Sequence, residues 1–331
     1  GGFVLRHVQF GNATMSSVGL WAVLGPDGEI RHLGVEDIEI TGCNVVGGLV
    51  AVNEGTLTSC FVTGSVSGNG VVGGLVARND GGNLSACTAT VSVTGKDFLG
   101  CLVGWNSYGM ITSCSASGSA SGSGEFTGGL VGANLVSTIS ACYAGSSVRG
   151  NSYVGGLAGA NYHGTIASSY ATGDVLGDIR VGGLVGAHSY GTITSCYATG
   201  AVTGVTFVGG LVGYNRHIVL VQEQSGGSIN FSYATGAVTG TDYVGGLVGY
   251  HYQNTVGSCY STGPVTATGN YIGGLIGFAD SGVVTSSYAL SRVSGIRYAG
   301  GLVGYHRSST VSSCYSTGKV TADSDAGGLV G

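Results

Sequence analysis

The segment Val-Gly-Gly-Leu-Val-Gly returns down this chain at a nearly fixed interval. Its leucines are Leu49, Leu75, Leu102, Leu130, Leu157, Leu184, Leu211, Leu247, Leu275, Leu302 and Leu329. They are spaced 26 to 28 residues apart, except for one gap of 36 between Leu211 and Leu247. A period of this length means a stack of near-identical units, each too small to bury a core alone. The repeat overrides the two or three domains that 331 residues would otherwise suggest.

Composition removes several alternatives. With 67 Gly but only 2 Pro, the chain has no collagen pattern. Residues of the apolar set make up 43% and charged residues 8%, the reverse of a disordered composition. The net charge of −5 is spread thinly and no basic stripe exists, so nucleic acid is not expected as a partner. No apolar run is long enough to span a bilayer. The chain opens at Gly1 without a signal peptide and closes at Gly331 in mid-repeat. It therefore reads as a processed chain or a piece of a longer array.

One unit, Val181 to Gly204, reads VGGLVGAHSYGTITSCYATGAVTG. Three short apolar or β-branched runs, Val181–Val185, Thr192–Tyr197 and Ala201–Thr203, are separated by Gly, Asn or Ser, and no helical periodicity appears. These runs predict an all-β parallel β-solenoid (β-helix) with coils of about 27 residues and three short strands per coil. About ten coils would make a rod of roughly 50 Å. Residues 1–46 read as worn N-terminal coils, and Gly19-Leu20-Trp21 resembles a degraded unit. Residues 47–331 form the regular array, with an insertion at about 214–227.

Aligned on the leucine, the coils give vertical rows. Two aliphatic rows, Leu84 to Val311 and Val148 to Val320, are expected in the core. A turn ladder runs Asn53, Asn79, Asn106, Asn134, Asn161, His188, Asn215, His251 and His306, where each amide can bond to the same group one coil on. An aromatic row of Tyr143, Tyr170, Tyr197, Tyr233, Tyr260, Tyr288 and Tyr315 is a candidate interaction surface. Two more are Phe98, Phe126, Tyr153, Phe207, Tyr243, Tyr271 and Tyr298, and the sparser Trp105, Tyr214, Tyr250, Phe278 and Tyr305. Such rows either stabilise the sheet by stacking or grip the faces of a polysaccharide, depending on which way they point.

Seven of nine cysteines share one slot, at 60, 87, 114, 142, 196, 259 and 314, which Ser169, Ser232 and Ser287 fill in other coils. One residue per coil in single file cannot converge on zinc, and Cys/Ser exchange asks only for a small, weakly polar group. The thiols are expected to be inert, although neighbouring pairs along 60–142 are close enough in sequence order to bridge. No metal, cofactor or catalytic residue is expected. Asp97 and Glu125, on adjacent coils, are the one carboxylate pair with a glycosidase-like opportunity. Thr56/Thr58 and Thr192/Thr194 suggest a ragged threonine face of the kind an ice-binding solenoid would use. In the long coil, Arg216, His217, Ile218, Val219, Leu220, Val221 and Glu223 form a candidate interaction loop, because solenoid insertions emerge on one face and often bind.

The segments Gly182–Gly186, His188 with Gly191, and Cys196–Gly200 resemble the GLUG motif, a family named for its Gly-Leu-X-Gly core. The resemblance covers nearly the whole chain. It implies a bacterial surface or secreted protein, since such repeats occur in filamentous-haemagglutinin-like adhesins and beside the catalytic domain of IgA-specific metallopeptidases. No peptidase zinc motif is present, so that activity is not carried over. The expected function is a non-catalytic, cell-surface structural or adhesive module that associates end to end or engages a host or cell-surface glycan or protein. A polysaccharide-binding or polysaccharide-active β-helix and an ice-binding solenoid are the alternatives.

Overall fold

A computed structural model describes residues 3–216 and 226–331. It is a parallel β-solenoid of about 12 turns, with no helix among the described residues. Among the described residues, the strands form two 11-stranded sheets and one 30-stranded sheet. One coil shows the path. Ile179–Gly182 lies in the largest sheet, which we call sheet 3. The chain turns at Gly183-Leu184 into Val185–Ser189 of sheet 1, then into Thr192–Thr194 of sheet 2. It returns to sheet 3 as Tyr197–Ala198, Val202–Thr203 and Thr206–Gly209. The coil has three faces, but the expected runs do not each make one: Val181–Val185 spans the corner between sheets 3 and 1, Thr192–Tyr197 spans sheets 2 and 3, and Ala201–Thr203 lies in sheet 3. Residues 3–46 belong to the same stack: Leu33–Thr41 pairs with Phe61–Gly68 and Trp21 with Val50, all in parallel.

Gly-Gly-Leu-Val-Gly is a corner rather than a strand. At Gly183, a Cβ would sit 2.1 Å from the Gly210 carbonyl oxygen one coil on; at Gly186, it would meet Val154 N at 2.6 Å. Two backbones therefore pass in direct contact, and only glycine leaves room. The leucine between them points inward, and Leu184 is fully buried. Its N–H bonds to the Leu211 carbonyl at 2.9 Å, and the same bond recurs from Leu49 to Leu329. Inside, Ile193 pairs with Ile166 and Ile229, and Val202 with Val175 and Val238. These aliphatic rows are the core, as their monotony predicts.

The other corners use residues with left-handed backbone. Tyr108, Val136, His163 and Tyr190 turn sheet 1 into sheet 2, and Ser59, Ala86, Ser113 and Ser195 turn sheet 2 into sheet 3. Each such conformation costs about 1 kcal/mol in an L-residue; at the corners from sheet 2 to sheet 3 the next residue is the Cys/Ser slot, whose hydrogen bonds offset it. Ser169 Oγ donates to the Ala167 carbonyl at 2.8 Å and accepts the Cys142 backbone N–H at 3.0 Å. Cys142 does the same work for Cys114, whose N–H reaches its sulfur at 3.4 Å. The exchange of Cys and Ser follows, because either group donates within its own corner and accepts from the coil before. All nine cysteines are free thiols. Burial pushes Cys101 and Cys196 up to about 11 and Cys259 to about 12, so they are protonated at neutral pH.

Replacing Ser169 separates the two roles. Ser169→Cys is expected to be near neutral, whereas Ser169→Ala leaves the Cys142 N–H without an acceptor and costs about 1–3 kcal/mol in denaturant unfolding. Equal stability of the two variants would show that the slot needs only small volume.

Candidate functional site

Two of the three aromatic rows meet on the outside of the glycine corner. Phe207 precedes the corner and Tyr214 follows it, and the fold-back at Gly209-Gly210 brings their rings to 5.1 Å, edge to face. Phe98 and Trp105 meet at 4.9 Å, and Tyr271 and Phe278 at 5.3 Å, in the same way. Along the rod the rings stack: Phe126 on Tyr153 at 4.5 Å, Tyr243 on Tyr271 at 4.9 Å, Tyr214 on Tyr250 at 5.2 Å. The result is a partly buried herringbone along one edge of the prism.

The row Tyr143, Tyr170, Tyr197, Tyr233, Tyr260, Tyr288 and Tyr315 runs separately along the outer face of sheet 3. Its centroids are 4.6 Å apart between Tyr170 and Tyr197 and 5.1 Å apart between Tyr260 and Tyr288, with planes within 8° at both steps. This geometry decides what the row can do. A sugar packs on an open ring face. Here the faces of the rings from Tyr170 to Tyr288 are covered by their neighbours, so along that stretch edges and hydroxyls are what solvent meets.

The asparagine ladder is buried from Asn53 to His251, and it lies at the ends of the sheet 1 strands rather than in the turn itself. The amide of Asn79 donates to Asn106 at 2.8 Å and to the Gly82 carbonyl across the corner at 2.8 Å. Asn53, Asn106 and Asn134 continue the ladder, and Asn161 passes it to His188, donating to Nδ1 at 3.1 Å. Beyond the insertion, Asn254 donates to Asn215 and Asn215 to His251 Nδ1 at 3.1 Å. Ala279 occupies the following position, and His306 is exposed on the last complete turn. Burial pushes His188 and His251 down to about 4, and a proton on either Nδ1 would face an amide donor.

Of the acidic pair that suggested a glycosidase, Asp97 serves the stack: its carboxylate accepts the Glu125 backbone N–H at 2.9 Å. Asp174 and Asp242 accept the N–H of Ala201 and Asn270 in the same manner. Threonines 192 and 194 do flank Ile193 on the outward side of sheet 2, but Met110, Ala167, Gly257 and Val283 interrupt that face. Of the candidate interaction loop, Arg216 ends a sheet 1 strand, donates to the Tyr214 hydroxyl at 3.0 Å and lies over Tyr252. His217, Ile218, Val219, Leu220, Val221 and Glu223 lie outside the described residues. The coil resumes in register, with Ile229 beside Ile193. Sequence reasoning missed Arg180. It occupies the aromatic row between Tyr153 and Phe207, a position that counting 27 residues on from Tyr153 marks as vacant of a ring.

The sequence model of the GLUG motif matches residues 68–94, 150–176, 177–203, 240–268 and 295–321. Five turns of this chain are GLUG repeats. Each GLUG match covers one turn: that at 177–203 runs from the bend before Arg180, around the glycine corner and the His188 ladder position, to the Val202–Thr203 strand. No curated protein and no solved structure matches the chain.

The two buried histidines give the GLUG stack a pH dependence with a definite sign. Their folded pKa lies below the ordinary 6.5, so the unfolded chain takes up protons first as pH falls. Stability is full above about pH 6.5 and is lost down to about pH 4, by up to about 3 kcal/mol per histidine. His188→Asn with His251→Asn places the ladder's commoner residue in both positions. The melting temperature of that variant is expected to fall less between pH 6.5 and 4 than that of the parent; parallel curves would refute the assignment.

Proposed function

We propose that this GLUG solenoid is a non-catalytic structural and adhesive module of a secreted or cell-surface bacterial protein. What supports this reading is that the chemistry-bearing side chains are engaged between coils. Asparagine and histidine join coil to coil, Cys/Ser hydroxyls and thiols satisfy the backbone, and Asp97, Asp174 and Asp242 hold N–H groups of the following turn. Among the described residues, no group of three or more His, Cys, Asp or Glu could hold a metal ion. A rod that fixes its polar groups in this way offers partners an extended, regular surface rather than a reaction centre. The covered ring faces of the tyrosine row favour this reading over a polysaccharide platform.

Antibody against the purified chain, applied to intact and to lysed cells of the source bacterium, tests the location. Labelling of intact cells is expected, and labelling only after lysis would contradict the proposal. Self-association through unpaired strand edges at the ends of a stack is part of the same reading. Sedimentation velocity over rising concentration should then show elongated multimers, and monomers alone at the highest concentration would exclude it.

A further inference from the structure

The second ring row of the herringbone edge is replaced by Ala133, Ala160 and Ala187 on three successive coils, and on the last of these the first row is broken as well. The coil around Leu184 carries Arg180 where its neighbours carry Tyr153 and Phe207, and Ala187 where the next coil carries Tyr214. With both rings gone, a cavity of about 100 Å³ opens, lined by Tyr153, Tyr162, Arg180, Ser189, Tyr214 and Arg216. The Arg180 guanidinium lies 4.6 Å from the Tyr153 ring centre and 5.1 Å from that of Tyr214. Its position is therefore held by two rings, not by a carboxylate.

Two polar groups of this cavity lack partners. Among the described residues, Arg180 Nε is buried with no hydrogen-bond acceptor. Ser189 is only 3% exposed, and its Oγ has no partner either. A buried donor without an acceptor costs about 1–3 kcal/mol. Charge tells the same story. On this edge Arg78, Arg297 and Arg307 are each paired, with Asp80, Asp325 and Asp280. Arg180 and Arg216 have no carboxylate within ion-pair distance among the described residues.

We propose that this break is a binding site for a small oxyanion, a carboxylate or sulfate group. One oxygen would accept from Arg180 Nε–H and another from the Ser189 hydroxyl, with Arg216 closing the charge balance at the rim. Guanidinium donors matched to a planar or tetrahedral oxyanion make the stronger, charge-assisted class of hydrogen bond. The aromatic walls exclude water and strengthen the attraction. The site does not depend on where the protein resides, so it stands or falls separately from the surface reading.

The test follows the Arg180 Nε–H resonance in nitrogen-15 spectra of the whole chain during titration with sulfate, acetate, glucuronate and glucose. Saturable shifts with the anions and none with glucose are expected. Saturation by glucuronate assigns the group to acidic sugars; saturation by sulfate or acetate without glucuronate assigns a free ion, and either supports the site. Arg180→Tyr restores the ring row and so preserves the fold. It should weaken anion binding, followed by calorimetry, about tenfold or more. Arg180 resonances unmoved by every anion at millimolar concentration, or undiminished affinity in Arg180→Tyr, would overturn the proposal.

Discussion

The structure depends on one close approach, that of two backbones at the glycine corner. At Gly210 a side-chain carbon would lie 2.1 Å from the Gly246 carbonyl oxygen, closer than any contact allows. None of the corner glycines is needed for a positive φ; all but Gly328, on the last coil, are needed for space. Once the backbone packs this tightly, the leucine between the glycines has only the interior to occupy, and its N–H meets the leucine carbonyl of the next coil. The coil length follows, because the chain must return to the same contact after each turn. The 36-residue gap shows how that constraint tolerates exceptions: the longer coil still brings Ile229 into register with Ile193.

Stacking identical coils places identical side chains one above another, and this governs the chemistry of the rod. Asparagine above asparagine makes a buried polar chain that is satisfied at almost every step. Tyrosine above tyrosine hides ring faces. Aspartate above a backbone N–H becomes a structural acceptor. A function that needs converging unlike groups must therefore arise where the repetition fails. The clearest failure among the described residues is the Arg180 coil, where two rings are missing and two arginines face a cavity instead of a carboxylate.

Much of this was legible in the sequence because a repeat is its own alignment. Spacing alone identified the inward rows of Ile193 and Val202, the ladder through Asn134 and His188, and the equivalence of Cys142 with Ser169. Spacing could not separate a corner from a strand. Val181–Val185 looks like a β-run, but the chain bends at Gly183, where only glycine clears the backbone of a coil 27 residues away. Nor could it say which way a row faces, since the left-handed conformations at Tyr153, Phe207 and Ser195 redirect side chains without a Gly or Pro to mark them. Arg180 escaped notice for a related reason. A row defined by its aromatic residues conceals the one position where the aromatic is absent.

The central claim is that backbone contact at the glycine corner, rather than flexibility, makes these glycines necessary. The direct measurement compares denaturant unfolding of Gly210→Ala with that of Gly25→Ala, a glycine whose added carbon would meet nothing within 4 Å. The account predicts a loss of about 3 kcal/mol or more for Gly210→Ala and a change within about 0.5 kcal/mol for Gly25→Ala. Equal stability of the two variants would contradict it.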